Sequence, residues 1–173
     1  MDYSKLKQCS SWRADIISSQ SAIDEKLRPW LADKGSLTSA LTALSDNNFQ
    51  VRLLDQKVAV PYLHEQQKLN YSENQTGLIR EVELHIHDQA VVFARSIIPL
   101  ELTNARHGSL DKLGTKPLGH LLFKEGKARV VKREFARIEV ADQTILARRT
   151  PYEYQDHQVL VSEFFLPSFL SFI

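Results

Sequence analysis

A single cysteine, Cys9, among 173 residues rules out a disulfide within the chain, and a reducing compartment is the simpler setting. No apolar run nears the ~20 residues that a membrane-spanning helix needs; the apolar tail at residues 164–173 is short and is broken by Pro167. The opening Met1-Asp2-Tyr3-Ser4-Lys5 leads into polar sequence and has no signal-peptide core. Charge of one sign is also missing: the net charge of +1 gives no global pull towards nucleic acid or an anionic membrane. Gly114-Thr115-Lys116-Pro117-Leu118-Gly119 lacks the Gly-Lys-Ser/Thr ending of a phosphate-binding loop. None of the six histidines has metal-ligand spacing with a second ligand; His85 and His87, two apart on a polar strand face, read as solvated surface. The expectation is a cytoplasmic, monomeric protein without metal, organic cofactor, nucleic-acid partner or membrane insertion.

What is present suits one domain. Hydrophobic residues make up 43% and charged residues 25%, enough apolar material for one core. Residues 1–20 read as a polar, loosely packed segment of the same domain, with the body at residues 21–173. Ile23, Leu27, Trp30 and Leu31 recur at helical spacing, and Pro29 predicts a broken helix or two short ones. Ser36 is placed to cap a second helix carrying Leu37, Leu41 and Leu44. Residues 64–77 read as a polar loop. Residues 78–87 and 91–99 read as two strands turning around Asp88-Gln89. Residues 103–124, with Ser109 and Thr115 as possible caps and Gly108, Gly114 and Gly119 as punctuation, read as a helix–turn–helix excursion with Pro117 in a first helical turn. Alternation returns at 127–140, 143–149 and 157–166. The sum is two or three short helices and five to seven strands in an antiparallel sheet, an α+β fold of one domain.

Charge is uneven within this frame. Residues 116–149 hold nine Lys/Arg against four Asp/Glu, whereas residues from Thr150 onward hold three acids and no Lys or Arg. The basic alternation Lys127, Arg129, Arg133, Arg137 reads as a solvated strand face that could also steer an anionic substrate.

The informative charges lie on apolar faces. With a two-residue period, Val82, Leu84 and Ile86 share one face of their strand with Arg80. A guanidinium stays charged at ordinary pH, so an inward Arg80 needs an anion. If Ile86 pairs with Val91, Arg95 faces Val82 and joins Arg80 on that face, though a one-residue slip would send it to the other side. In residues 159–166 both faces are apolar, and Glu163 sits among them wherever it points. From pattern alone two readings stand: a structural Arg80–Glu163 ion pair, or a ligand site with perturbed charges.

Seven ordered segments bear on that choice: Leu78-Ile79-Arg80-Glu81, Ala94-Arg95-Ser96-Ile97-Ile98-Pro99, Lys112-Leu113-Gly114-Thr115-Lys116-Pro117-Leu118-Gly119, Leu122-Phe123, Arg133-Glu134-Phe135, Ala147-Arg148-Arg149 and Ser162-Glu163-Phe164-Phe165-Leu166-Pro167. In this order the chain resembles the chorismate lyases (chorismate–pyruvate lyases, 4-hydroxybenzoate synthases) over about residues 27–168, the extent of one whole domain. The resemblance implies an enzyme that converts chorismate to 4-hydroxybenzoate and pyruvate at the entry to ubiquinone synthesis, with no cofactor, on an antiparallel sheet whose helical flaps, matched by the excursion at 103–124, cover a buried ligand site. It implies that Arg80 binds the product carboxylate, that Glu163 binds its hydroxyl end, and that Leu118 contacts the ligand through its backbone. Leu37 falls at a wall position where some members have methionine, and Leu121 would join Leu37 and Leu118 in an apolar lid. Arg95 becomes a candidate for the enolpyruvyl carboxylate. The rival expectation is a non-catalytic module that binds an aromatic acid, related to effector-binding domains of transcription regulators. Residues 1–30 are too few for the DNA-binding winged helix that precedes such domains.

Overall fold

The computed structural model describes residues 2–15, 22–103, 113–123 and 128–173. Its helices are α1 (Ser4–Lys7), α2 (Ala22–Ala32), α3 (Leu37–Leu44), α4 (Leu63–Leu69) and α5 (Leu118–Phe123). Its strands are β1 (Phe49–Ala59), β2 (Gly77–Ile86), β3 (Gln89–Ile98), β4 (Arg129–Val130), β5 (Glu134–Val140), β6 (Gln143–Tyr154) and β7 (His157–Phe165). They form one antiparallel sheet in the order β1-β2-β3-β7-β6, with β4 and β5 both pairing with β6. The α+β expectation, with its antiparallel sheet and short helices, is met.

Turn chemistry sets the sheet's hairpins. His87-Asp88, Ala141-Asp142 and Gln155-Asp156 each place two successive residues at positive φ. That pairing of left-handed residues defines the two-residue turn whose twist matches the flanking strands. Aspartate at the second position tolerates the left-handed region better than most side chains.

The first of these turns corrects the register read from the sequence. Because it begins at His87, Ile86 pairs with Gln89; a bulge at Leu84/His85 then aligns Leu84 with Val92, Val82 with Ala94, Arg80 with Ser96 and Glu81 with Arg95. The difference is one residue, and one residue moves a side chain to the opposite face. Arg80 keeps to the front face with Val82 and Leu84, and Arg95 goes to the rear.

On the front, Leu27, Leu31, Leu37 and Leu41 of α2 and α3 pack on Val82, Leu84, Ala94, Leu146 and Phe165. Leu118 and Leu122 of α5 pack on Leu78, Ile98 and Val159. Helix α2 continues through Pro29 as one element, since it ends three residues later and Asp33 N donates to Pro29 O at 2.9 Å. Ser36 caps α3, its Oγ accepting from Ser39 N. The excursion at 103–124 is described only at its ends, by a 3-10 turn (Leu100–Thr103) and α5; Gly108 and Ser109, like Lys127, lie outside the described residues.

The rear face holds two further corrections. Residues 3–13 are packed, not loose: Leu6 is buried, the Tyr3 ring stacks on Phe93 at 4.1 Å, Trp12 meets Phe164 edge-on, and Arg13 bridges to Phe135. Residues 64–69, expected within a loop, belong to α4. Glu65 reaches back to accept from Tyr62 N at 2.9 Å, and Asn70 closes the helix in the left-handed conformation, so capping supports a helix that polar composition hides.

His64 of α4 joins these rear elements. Its Nε2 donates to Lys7 O at 3.0 Å and its Nδ1 accepts from Arg149 Nη1 at 3.3 Å, an arrangement that only the neutral ring can make. Burial depresses its pKa below the ordinary 6.5, against the opposing pull of its hydrogen bond to Lys7. The unfolded chain then takes up the proton first. Stability from the neutral ring is complete above about pH 6.5 and is lost as pH falls from there through the lower folded-state value. Urea midpoints of the native protein are expected to drop between pH 7 and 5.5, and those of His64→Gln to stay flatter; superimposable profiles would remove His64 as the cause.

Candidate active site

The front of the sheet does not close completely under its helices. Between α3, the turn before α5 and strands β2, β3, β6 and β7 lies a cavity with about 50 Å³ of space open to water, room for a few water molecules. Its walls are mostly apolar (Leu37, Val51, Val82, Leu84, Leu118 and Val161 among them), and its polar lining includes Arg80, Glu163, Tyr152, Thr38 and Ser96.

Arg80 is 2% exposed. Its Nη2 donates to the carbonyls of Gly114 (2.9 Å) and Lys116 (3.1 Å), and its Nε is buried with no partner. No carboxylate pairs with it among the described residues, and burial pulls its pKa down. Gly114 stands at φ +53°, open on its Cβ side. That left-handed turn, which glycine adopts without cost, presents the two carbonyls to the guanidinium. Two neutral acceptors orient Arg80 without neutralising it, so among the described residues its buried charge meets no anion.

Glu163 enters the same cavity from β7, and its cation is Arg148 of β6. Arg148 Nε donates to Glu163 Oε2 at 2.5 Å, while its Nη1 donates to Trp30 O (2.6 Å) and Asp33 O (2.8 Å) beyond the end of α2. Arg148 is 1% exposed. The structural reading of Arg80 and Glu163 as an ion pair is therefore overturned: each has its own surroundings, and the cavity lies between. Arg80 aligns with Ser96, Ser96 with Val161, and Glu163 follows Val161 by two residues. Two interstrand steps and that offset put their Cα atoms about 12 Å apart, a span for a small ring with an anionic group at one end and a polar group at the other.

Arg95 is not in the site. It lies on the rear, where Glu65 takes its Nε and Nη2 (2.8 and 2.9 Å), Glu81 takes its Nη1 (2.5 Å) and the Tyr62 ring covers it at 4.9 Å. Its role as a second anion anchor is corrected to that of a buried ion-pair centre, for the register reason given above. Leu37 and Leu118 do line the cavity; the Leu121 side chain lies outside the described residues.

Three polar residues of β6, one lining the cavity and two beside it, escape the sequence reading. Arg148, Thr150 and Tyr152 alternate along the front of β6, with Arg149 turned to the rear against Glu134 at 2.6 Å. A two-residue period through residues 146–152 holds that signal. Burial and the nearby Glu163 push the Tyr152 phenol pKa up, so Tyr152 faces the cavity as a protonated hydroxyl. Arg133 and Arg137, expected on a solvated face, are drawn inward instead: Arg137 pairs with buried Asp24 at 2.6 Å, and Arg133 bonds Thr150 Oγ1 at 3.0 Å.

Among the described residues no group of three His, Cys, Asp or Glu could hold a metal ion, and no helix is long and apolar enough to cross a membrane.

Comparison with known proteins follows the same pattern. The family model described as chorismate lyase matches residues 6–171. A probable chorismate pyruvate-lyase of Pseudomonas aeruginosa (strain UCBPP-PA14) is 37% identical over 163 residues, covering 90% of each chain. One from Psychromonas ingrahamii is 32% identical over 179 residues, covering 94% of this chain and 93% of its own. Among solved structures, the effector domain of PhnF from Mycobacterium smegmatis superposes with a TM-score of 0.56 at 13% identity, covering 78% of this chain and 90% of that one. The ligand-binding domain of a GntR-family regulator from Bordetella bronchiseptica gives 0.53 at 13%, covering 69% and 86%. At such identities the structural likeness is one of fold.

Proposed function

The chain belongs to the chorismate lyase family, and from that premise we propose that it cleaves chorismate to 4-hydroxybenzoate and pyruvate between Arg80 and Glu163, supplying the aromatic acid for ubiquinone synthesis. The observation that carries this reading is Arg80: a buried guanidinium, oriented by two carbonyls, without an anion among the described residues, facing a small cavity that also holds Glu163.

Chemistry requires little of such a site beyond orientation and one proton. As the ether bond at ring carbon 3 breaks, its electrons leave with the enolpyruvyl oxygen. The carbon 4–hydrogen bond supplies the pair that completes the aromatic ring, so aromatisation drives the step. The proton from carbon 4 ends on the methylene carbon of the departing enolpyruvate, giving pyruvate, and no water or oxidant is consumed. Arg80 holds the ring carboxylate through charge-assisted hydrogen bonds, which fixes the ring against the front of the sheet. Glu163, paired with Arg148, stands as a carboxylate able to accept the carbon 4 proton and pass it to the leaving group. Leu37 and Leu118 exclude water around the reacting atoms. Because the cavity holds only a few waters as it stands, its helical wall must move to admit substrate and release product, and that motion is a candidate for the slowest step.

The test is to add chorismate to the purified protein and follow 4-hydroxybenzoate by its ultraviolet absorbance and pyruvate with lactate dehydrogenase. Equal amounts of both are expected. Tight binding of 4-hydroxybenzoate without turnover would replace the enzyme by a binding module.

A further inference from the structure

Chorismate carries two carboxylates, and Arg80 accounts for one. Beside the cavity, though not among its lining residues, lies a second buried cation that forms no ion pair with any described carboxylate. Arg133, just before β5, lays its guanidinium over the front of β6: Nε donates to Thr150 Oγ1 at 3.0 Å, and Nη1 meets the carbonyls of Leu31 (3.4 Å) and Asp33. Its Nη2 is buried and has no hydrogen-bond partner. Thr150 stands on β6 between Arg148, which holds Glu163, and Tyr152, which lines the cavity, and it pairs across the sheet with Val161, also of the cavity wall.

Resting on the lyase reading, we infer that Arg133 is the anchor of the enolpyruvyl carboxylate, the group that distinguishes substrate from aromatic product. Two features support it beyond position. The hydrogen-bond partners of Arg133 among the described residues are neutral, hydroxyls and two carbonyls, and burial first, then the like charge of Arg148, depresses its pKa against a weaker opposing pull from Tyr152 and Glu163; an incoming anion relieves both penalties. The charges lining and bracing the cavity agree with it. Arg80 and Arg148 against Glu163 leave the site with one net positive charge, short of a dianion, and Arg133 makes the match complete. Placement fits the chemistry as well: an anion held near Glu163, away from Arg80, keeps the departing enolpyruvate beside the carboxylate that carries its proton.

The anchor predicts a dissociation between substrate and product. In Arg133→Gln the KM for chorismate is expected to rise about 30- to 100-fold, while the Kd of 4-hydroxybenzoate, which lacks the second carboxylate, stays within about threefold. Arg133→Lys should recover part of the loss. Parallel weakening of product binding, or a change in chorismate KM below about threefold, would overturn the assignment. A measurement on the unaltered protein reads the same site if the Gln variant fails to fold: 3-(carboxymethoxy)-4-hydroxybenzoate is expected to bind at least about tenfold more tightly than the methyl ester of its side-chain acid. Equal binding of acid and ester would also overturn it. Failure to turn over chorismate at all would count against the lyase reading, whereas the acid–ester comparison would still report the second anion site.

Discussion

Replacement of Arg80 by methionine is expected to lower kcat/KM for chorismate by about 10²- to 10³-fold, the effect of removing one partner of a desolvated charge pair worth ~3–4 kcal/mol. The same change should leave the melting temperature unchanged or raise it. Both halves follow from the partners the residue has. Its protein contacts are two backbone carbonyls on one nitrogen, with Nε buried and unsatisfied. No described carboxylate loses its cation when the guanidinium goes, and an apolar side chain of similar length fills the space without the desolvation cost of a charge. A residue kept for stability would behave in the opposite way, with the melting temperature falling and kcat/KM holding in whatever stays folded. Binding of 4-hydroxybenzoate measured alongside should weaken by a similar factor, because product and substrate share the ring carboxylate. A methionine variant that still binds 4-hydroxybenzoate normally would place the carboxylate elsewhere.

That Arg80 and Glu163 could be found in the sequence at all has a physical basis. Each interrupts an apolar strand face at the two-residue period, and a charge on such a face must meet something. The same rule failed for Arg95, since its face depends on where a hairpin turns and on a bulge at Leu84/His85; neither leaves a mark in hydrophobic alternation. On β6 the rule alone does not choose a face, because Arg148 and Arg149 are adjacent and a strand necessarily sends one to each side. The resemblance marked that dipeptide without saying which arginine faced the cavity. Arg133 was hidden differently. On a stretch of alternating basic residues it looks solvated, and only the end of α2, folding over it to present the Leu31 and Asp33 carbonyls, turns it inward. The packed N-terminal segment and α4 were lost to composition: Tyr3, Leu6 and Trp12 are sparse among polar residues, yet each finds a place on the rear of the sheet.

Glu163→Gln should separate chemistry from binding more sharply than any other substitution in the site. Turnover is expected to fall about 10²- to 10⁴-fold, the usual range for a positioned proton-transfer group, while 4-hydroxybenzoate binds within a few-fold of normal. Glutamine keeps the shape of the wall and an oxygen for Arg148 Nε, and Arg148 retains the Trp30 and Asp33 carbonyls, so the pocket survives at some cost in stability from a buried cation that has lost its anion. What glutamine cannot do is accept a proton from carbon 4. The alternative route needs no protein base: the carbon 4 hydrogen moves directly to the enolpyruvyl methylene within the substrate, with Arg80 and Arg133 holding the two ends in place. Chorismate deuterated at carbon 4 distinguishes the two. Transfer through Glu163 lets part of the label exchange with solvent before it reaches pyruvate, and the Gln variant loses the reaction. Direct transfer delivers the label intact to the pyruvate methyl group, and the Gln variant then keeps turnover within about fivefold, leaving Glu163 as a residue that binds the hydroxyl end and orients the ring.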